Sequence, residues 1–157
     1  MKHLLTLTPA IAIAILACLP AHGEELNFGD HSSATITGKA WEALNAKSYA
    51  NAIAYAKKCV EMYEKQALEM QKELKEPVTG DREEVAKKWA LNDVGTCLFI
   101  TGQALEKQEK PAEALAAYKQ LVEKVSFAQC WDTKGWFWKP AEGAKARVKA
   151  LEFDTLK

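Results

Sequence analysis

The chain has 157 residues, enough for one domain that buries its own hydrophobic core. Its 21 Lys and Arg residues are matched by 21 Asp and Glu residues, so it lacks the basic excess that nucleic-acid binding requires.

The first 23 residues differ in kind from the rest of the chain. Lys2 and His3 precede an almost uncharged run, and Ala21 and Gly23 supply the small residues of a signal-peptide cleavage site. We therefore predict a signal peptide over 1–23, cleaved after Gly23, and a periplasmic or secreted protein. The alternative is a lipoprotein anchored at Cys18, because residues 15–18 resemble a lipobox that contains an unusually bulky Leu16.

The mature chain begins with a polar stretch and continues with helical patterns. Residues 24–34 show no period and are predicted to form a flexible leader, followed by a helical domain over 35–153. Apolar residues at helical spacing, with caps and breakers between them, predict five helices. These run from Thr35–Thr37 to Lys47, from a Ser48 cap to Lys75, from an Asp81 cap to Lys107, from Pro111 to Val125, and from Pro140 to Phe153. Strand patterns are absent, so the predicted fold class is all-α.

Two segments match each other at an offset of 62 residues. Each opens a helix and has an Ala-Ile or Ala-Leu pair five residues in, beginning at Ala52 and Ala114. Each also has a small residue twelve positions before that alanine (Ala40 and Gly102). The matching segments, 36–62 and 98–124, resemble the tetratricopeptide repeat (TPR), a helix–turn–helix of about 34 residues. The resemblance implies antiparallel helical hairpins stacked as a short solenoid, with a C-terminal capping helix. The offset exceeds one repeat by about 28 residues, which predicts an elongated central helix pair.

The TPR resemblance also implies a function, because such repeats commonly bind partners through the face of their first helices. Carried onto this chain, that face presents Trp41, Asn45, Phe99 and Gln103, with Thr37, Leu44, Glu106 and Lys107 beside them. The alternative for Trp41 and Phe99 is core packing. The basic and amide residues with which some relatives clamp a peptide carboxylate are not evident in the sequence, which disfavours that ligand.

The segment 126–139 is rich in aromatic residues and has no helical period. Trp131, Trp136 and Trp138 would form a platform for sugar rings or apolar peptides, or else would fold over the end of the solenoid as a cap. The segment resembles one in small exported repeat proteins, some of which carry a glucanase label. A glycosidase needs two carboxyl groups across the sugar, and Asp132 has no partner by local spacing.

No cofactor, metal site or catalytic group is predicted. The mature chain contains one histidine, His31, which lies in the predicted leader, and it lacks a glycine-rich phosphate loop. We therefore predict that the protein is not an enzyme.

Three cysteines remain after signal removal, and export favours their oxidation. Cys59 and Cys97 lie at nearly the same level of the predicted central helix pair, so a Cys59–Cys97 disulfide is predicted. The alternatives are a Cys97–Cys130 bridge and three buried free thiols.

These patterns indicate an exported, non-enzymatic interaction module that binds a protein or peptide partner and no nucleic acid. It would contact a membrane only if lipidated at Cys18. A glycan-binding or glycan-acting envelope protein that uses the tryptophan segment is the alternative. Self-association through an exposed solenoid end is a third hypothesis.

Overall fold

The computed structural model describes residues 26–132 and 134–155. The predicted signal peptide, its cleavage site and Cys18 lie outside these residues. The described part contains six helices and two strands: α1 (Ser33–Asn45), α2 (Tyr49–Lys72), α3 (Arg82–Ala86), α4 (Trp89–Lys107), α5 (Pro111–Lys124), β1 (Cys130–Asp132), β2 (Trp136–Trp138) and α6 (Pro140–Thr155). The prediction of an all-α fold is confirmed, since the strands form only one small hairpin, and the helix packing is consistent with stacked hairpins.

The central element is α4, which contacts each of the other five helices. Its apolar residues face both sides, so α4 joins two clusters of buried side chains. The cluster with α1 and α2 contains Ile36, Ala56 and Ile100, and the cluster with α5 and α6 contains Leu98, Tyr118 and Ala144. Because one helix serves both clusters, neither hairpin buries its apolar face without it.

The two turns that follow α1 and α4 have the same geometry. Lys47 and Glu109 both adopt a left-handed conformation, with φ of 60° and 59°. The amide of Ser48 donates to the Ala43 carbonyl at 2.9 Å, and the amide of Lys110 donates to the Leu105 carbonyl at 3.0 Å. These are helix-ending motifs of the same type, separated by the same 62 residues as the sequence match. The structure thus contains two equivalent helical turns, whereas membership of the TPR family stays a prediction.

The helix predicted from Asp81 to Lys107 is interrupted. Asp81 caps α3 as predicted, with its Oδ1 accepting from the amides of Glu83 and Glu84 at 3.0 and 3.1 Å. The chain then leaves the helical path at Lys88, whose φ and ψ are −94° and 37°. At this break the Val85 carbonyl accepts from the backbone amide of Lys88 at 3.1 Å and from the side-chain amide of Asn92 at 2.8 Å.

The prediction of no strands was wrong at the aromatic segment. β1 and β2 pair antiparallel around a turn at Lys134–Gly135, with Trp131 opposite Phe137. Gly135 has a φ of 97°, which glycine adopts without steric cost.

The first helix begins at Ser33, slightly earlier than the predicted start at Thr35–Thr37. Ser32 caps α1, its hydroxyl accepting from the Thr35 amide at 3.3 Å. The Phe28 ring packs edge-on to Tyr55 at 5.4 Å, and the Tyr63 hydroxyl donates to the His31 carbonyl at 2.7 Å. The end of the predicted leader is therefore in contact with α2.

Candidate functional site

An open groove lies between α1, α4 and α6, the first helices of the two hairpins and the capping helix. We call it the interhelical groove; its volume is about 680 Å³. It is lined by Leu44, Asn45, Lys47, Tyr49, Phe99, Gln103, Glu106, Lys107, Tyr118, Gly143 and Arg147. Three of the four residues predicted to bind a partner, Asn45, Phe99 and Gln103, thus lie together here.

The floor of the interhelical groove is apolar and its rim is polar. Phe99 and Tyr118 have their rings 5.9 Å apart, and Gly143 of α6 leaves room for the Phe99 ring, because a Cβ at position 143 would lie 3.0 Å from it. Asn45 and Lys107 are exposed at the rim. An apolar floor with a few polar groups around it is the usual composition of a ligand-binding groove.

One acidic side chain in this groove is neutralised within the protein. The Glu106 carboxylate accepts from the Tyr118 hydroxyl at 2.7 Å and from Nε of Arg147 at 2.9 Å. A phenol is protonated at neutral pH and can donate, and burial raises the pKa of Tyr118 further above its ordinary value. Lys47 and Lys107 form no ion pair with other described residues. The groove therefore has a positive balance.

The fourth predicted residue, Trp41, is not part of the interhelical groove. Its ring lies 6.5 Å from that of Trp138, which in turn lies 5.1 Å from Phe99. Trp138 thus contacts both Phe99 of the interhelical groove and Trp41, which lines a second cavity.

The hairpin register divides the three tryptophans predicted to form a platform. Residues paired directly across an antiparallel hairpin point to the same face, and neighbours along a strand point to opposite faces. Trp131 therefore shares a face with Phe137, their rings 4.9 Å apart, whereas Trp136 and Trp138 point to the other face. The three do not form one continuous surface. Trp138 packs on the helices as expected for a cap, while Trp136 remains 52% exposed.

The second cavity, of about 460 Å³, lies between α1, α3, α4 and the hairpin. We call it the aromatic cavity, because four of its lining residues are Trp41, Trp89, Trp131 and Phe137. Asp93 of α4 is the one acidic residue among the lining residues, and its Oδ2 accepts from the Ser33 hydroxyl at 2.5 Å. Burial raises the pKa of the Asp93 carboxyl. No sequence pattern predicted this site. The one signal in the sequence is an acidic residue, Asp93, within the largely apolar and buried helix α4.

Cys59 and Cys97 are brought together, as the sequence predicted, but the structure contains them as free thiols, as it does Cys130. Both are fully buried, and the Thr37 hydroxyl lies 3.6 Å from Sγ of Cys59 and 3.3 Å from Sγ of Cys97. Burial raises the pKa of the Cys97 thiol, whereas a hydrogen bond from Cys97 lowers the pKa of Cys59. The predicted disulfide is not formed in this structure, and its formation on oxidation stays a prediction.

The described residues contain no group of three or more His, Cys, Asp or Glu side chains suited to holding a metal ion. Among them, no helix combines the length and the apolar character needed to cross a bilayer.

Comparison with protein families, with curated proteins and with solved structures finds no match for this chain.

Proposed function

We propose that this chain is a non-enzymatic interaction module that binds an extended segment of a protein partner in the interhelical groove. The observation that carries the proposal is the convergence of Asn45, Phe99 and Gln103, from two different helices, on one open groove. An apolar floor supplies affinity through burial, and amide side chains at the rim supply hydrogen bonds to a peptide backbone.

The charge of the groove indicates what kind of segment it binds. Glu106 is paired with Arg147, so Lys47 and Lys107 determine the electrostatic field at the rim. Opposite charges across an interface increase the association rate and the specificity. We therefore propose a partner segment in which acidic residues flank an apolar anchor. The setting proposed for this interaction is the periplasm or cell exterior, and the architecture proposed for the module is a TPR-like solenoid.

The experiment is a selection of binders from a random peptide library, followed by anisotropy measurements with the selected peptides. We expect acidic, apolar sequences, with binding weakened about tenfold by Gln103→Ala or Lys107→Glu and reduced by salt. Lys65→Glu is the matched control, because Lys65 is an exposed lysine on α2 away from the groove. Selected peptides that bind both groove variants as well as the wild type would refute the proposal, as would a selection that enriches no sequence.

A glycan-binding role for Trp131, Trp136 and Trp138 is the weaker proposal. Two of these residues are exposed, by 37% for Trp131 and 52% for Trp136, but the hairpin register places them on opposite faces. Sugar rings stack along contiguous aromatic surfaces, which this arrangement does not provide.

A further inference from the structure

The aromatic cavity is a second site, and it shares no lining residue with the interhelical groove. Its walls come from three parts of the fold: Trp41 from α1, Trp89 from α4, and Trp131 with Phe137 from the hairpin. Side chains from such distant parts of the sequence create a concave site only in the folded protein. The cavity has a volume of about 460 Å³, which is suited to a small-molecule ligand.

Most polar side chains at this cavity already have partners within the protein. The Asn92 side chain donates to the Val85 carbonyl at 2.8 Å and accepts from the backbone amide of Gln129 at 2.9 Å. The Gln129 side chain donates to the Val78 carbonyl, and the Thr96 hydroxyl donates to the Asn92 carbonyl at 2.7 Å. Because these groups are already hydrogen-bonded within the protein, they have few hydrogen bonds left for a ligand.

The Asp93 carboxylate is different. Among the described residues, its only hydrogen bond comes from Ser33, through Oδ2, and it forms no ion pair. The cavity therefore contains a carboxylate whose charge is not neutralised by a basic partner in direct contact. Asp93 is partly buried, and a partly buried charge of this kind is stabilised by a ligand of opposite sign.

A cation already lies against one wall of the cavity. The Arg82 guanidinium lies 4.7 Å from the centre of the Trp131 ring, a distance at which the ring quadrupole attracts positive charge. The Trp131 ring thus contacts a cation in the protein without any ligand.

We propose that the aromatic cavity binds an organic cation with a quaternary ammonium group of the choline type. Asp93 provides the opposite charge, and the aromatic walls provide faces for the N-methyl groups. A protonated primary amine has three donors to satisfy, whereas a quaternary ammonium has none. The shortage of uncommitted acceptors therefore favours the quaternary group.

The position of Arg82 distinguishes a site for a cation from a site for an anion. Its positive charge competes with the ligand for the Trp131 ring and repels it across the cavity. Replacing Arg82 should therefore strengthen the binding of a cation, whereas it would weaken a site for an anion. The same ammonium group occurs in free choline and in phosphatidylcholine headgroups.

The experiment is isothermal titration calorimetry of the mature protein with choline, with ethanolamine and with the neutral tert-butyl analogue of choline. We expect choline to bind at least about tenfold more tightly than either comparison compound. Asp93→Asn and Trp131→Ala should each weaken choline binding about tenfold, and Arg82→Gln should strengthen it several-fold. Trp136→Ala is the matched control, because Trp136 is an exposed tryptophan of the same hairpin outside the cavity. Circular dichroism verifies that each variant is folded.

Co-sedimentation with phosphatidylcholine vesicles identifies the source of the ammonium group: binding to the vesicles assigns the lipid headgroup, and binding to choline alone assigns a free cation. Equal binding of choline and its neutral analogue would overturn the proposal, as would unchanged affinity in Asp93→Asn. The proposal also fails if neither the wild type nor Arg82→Gln binds choline at millimolar concentration. None of these variants alters the interhelical groove, so the outcome is independent of peptide binding.

Discussion

Gly102 of α4 lies directly against the ring of Tyr118 on α5. A Cβ at position 102 would be 2.4 Å from Cε1 of Tyr118, well inside van der Waals contact. Tyr118 is fully buried and donates to Glu106, so the ring has little freedom to move aside.

This contact predicts a large effect of a small substitution. Gly102→Ala should lower the free energy of unfolding by about 2 kcal/mol or more, because the added methyl group overpacks a filled site. Gly38→Ala is the matched control: Gly38 is an exposed helical glycine, and a Cβ there would meet nothing within 4 Å. We expect Gly38→Ala to raise the stability by roughly 0.5–1 kcal/mol through its better helix propensity. Urea denaturation of the two variants measures both values, and equal effects would show that the Gly102 contact is not tight.

The edge-to-face packing of Trp138 against Trp41 and Phe99 makes a second prediction. Trp138→Ala should lower the free energy of unfolding by roughly 2–3 kcal/mol, because the ring holds the hairpin on α1 and α4. Trp136→Ala should change it by less than about 0.5 kcal/mol, because that ring is mostly solvated. Thermal unfolding of the two variants distinguishes a hairpin anchored by one ring from one held by all its tryptophans.

The helices could be predicted from the sequence because their apolar residues recur over ten or more positions. The break at Lys88 could not, because the apolar spacing continues through it and the compensating hydrogen bond comes from a side chain, Asn92. The hairpin strands have three residues each, which is too short for an alternating pattern to be recognised.

The residues of the candidate sites also divide into those whose proximity the sequence could predict and those whose proximity it could not. Asn45, Phe99 and Gln103 come from helices whose pairing follows from the repeat, so their proximity could be predicted. Trp41 faces a cavity because Trp138, 97 positions later, packs beside it, and such a contact leaves no local signal. Asp93 lines a cavity because the hairpin, distant in the sequence, packs beside it, and the sequence around Asp93 does not indicate that contact.

The neighbouring thiols predict a disulfide in oxidising conditions. Cys59 and Cys97 contact the same Thr37 hydroxyl, and a bridge between them would close a loop of residues 38 positions apart. We expect it to stabilise the protein by about 3–4 kcal/mol, so reduction should lower the melting temperature. Non-reducing peptide mapping of protein purified from the exported fraction tests this, with Cys130 expected as the free thiol. A Cys97–Cys130 peptide or three alkylatable thiols would contradict the prediction.

The raised pKa of Asp93 predicts how stability depends on pH. Because burial raises this pKa in the folded protein, the folded state binds the proton more tightly than the unfolded state. The resulting contribution to stability is fully present below the usual Asp pKa of 3.8 and is lost as the pH rises through the folded value. Asp93→Asn keeps an acceptor for Ser33 without a charge, so we expect it to be more stable than the wild type at neutral pH.

This advantage should shrink as the pH falls through the raised pKa of Asp93 in the folded protein, because the wild-type carboxyl then takes up its proton and becomes neutral. Urea denaturation across a pH series measures the difference between the two proteins. Glu113→Gln, at an exposed position of α5, controls for the loss of one negative charge. A variant that is less stable than the wild type at neutral pH would show that the charged carboxylate stabilises the fold through Ser33, because the hydrogen bond would then outweigh the burial of the charge.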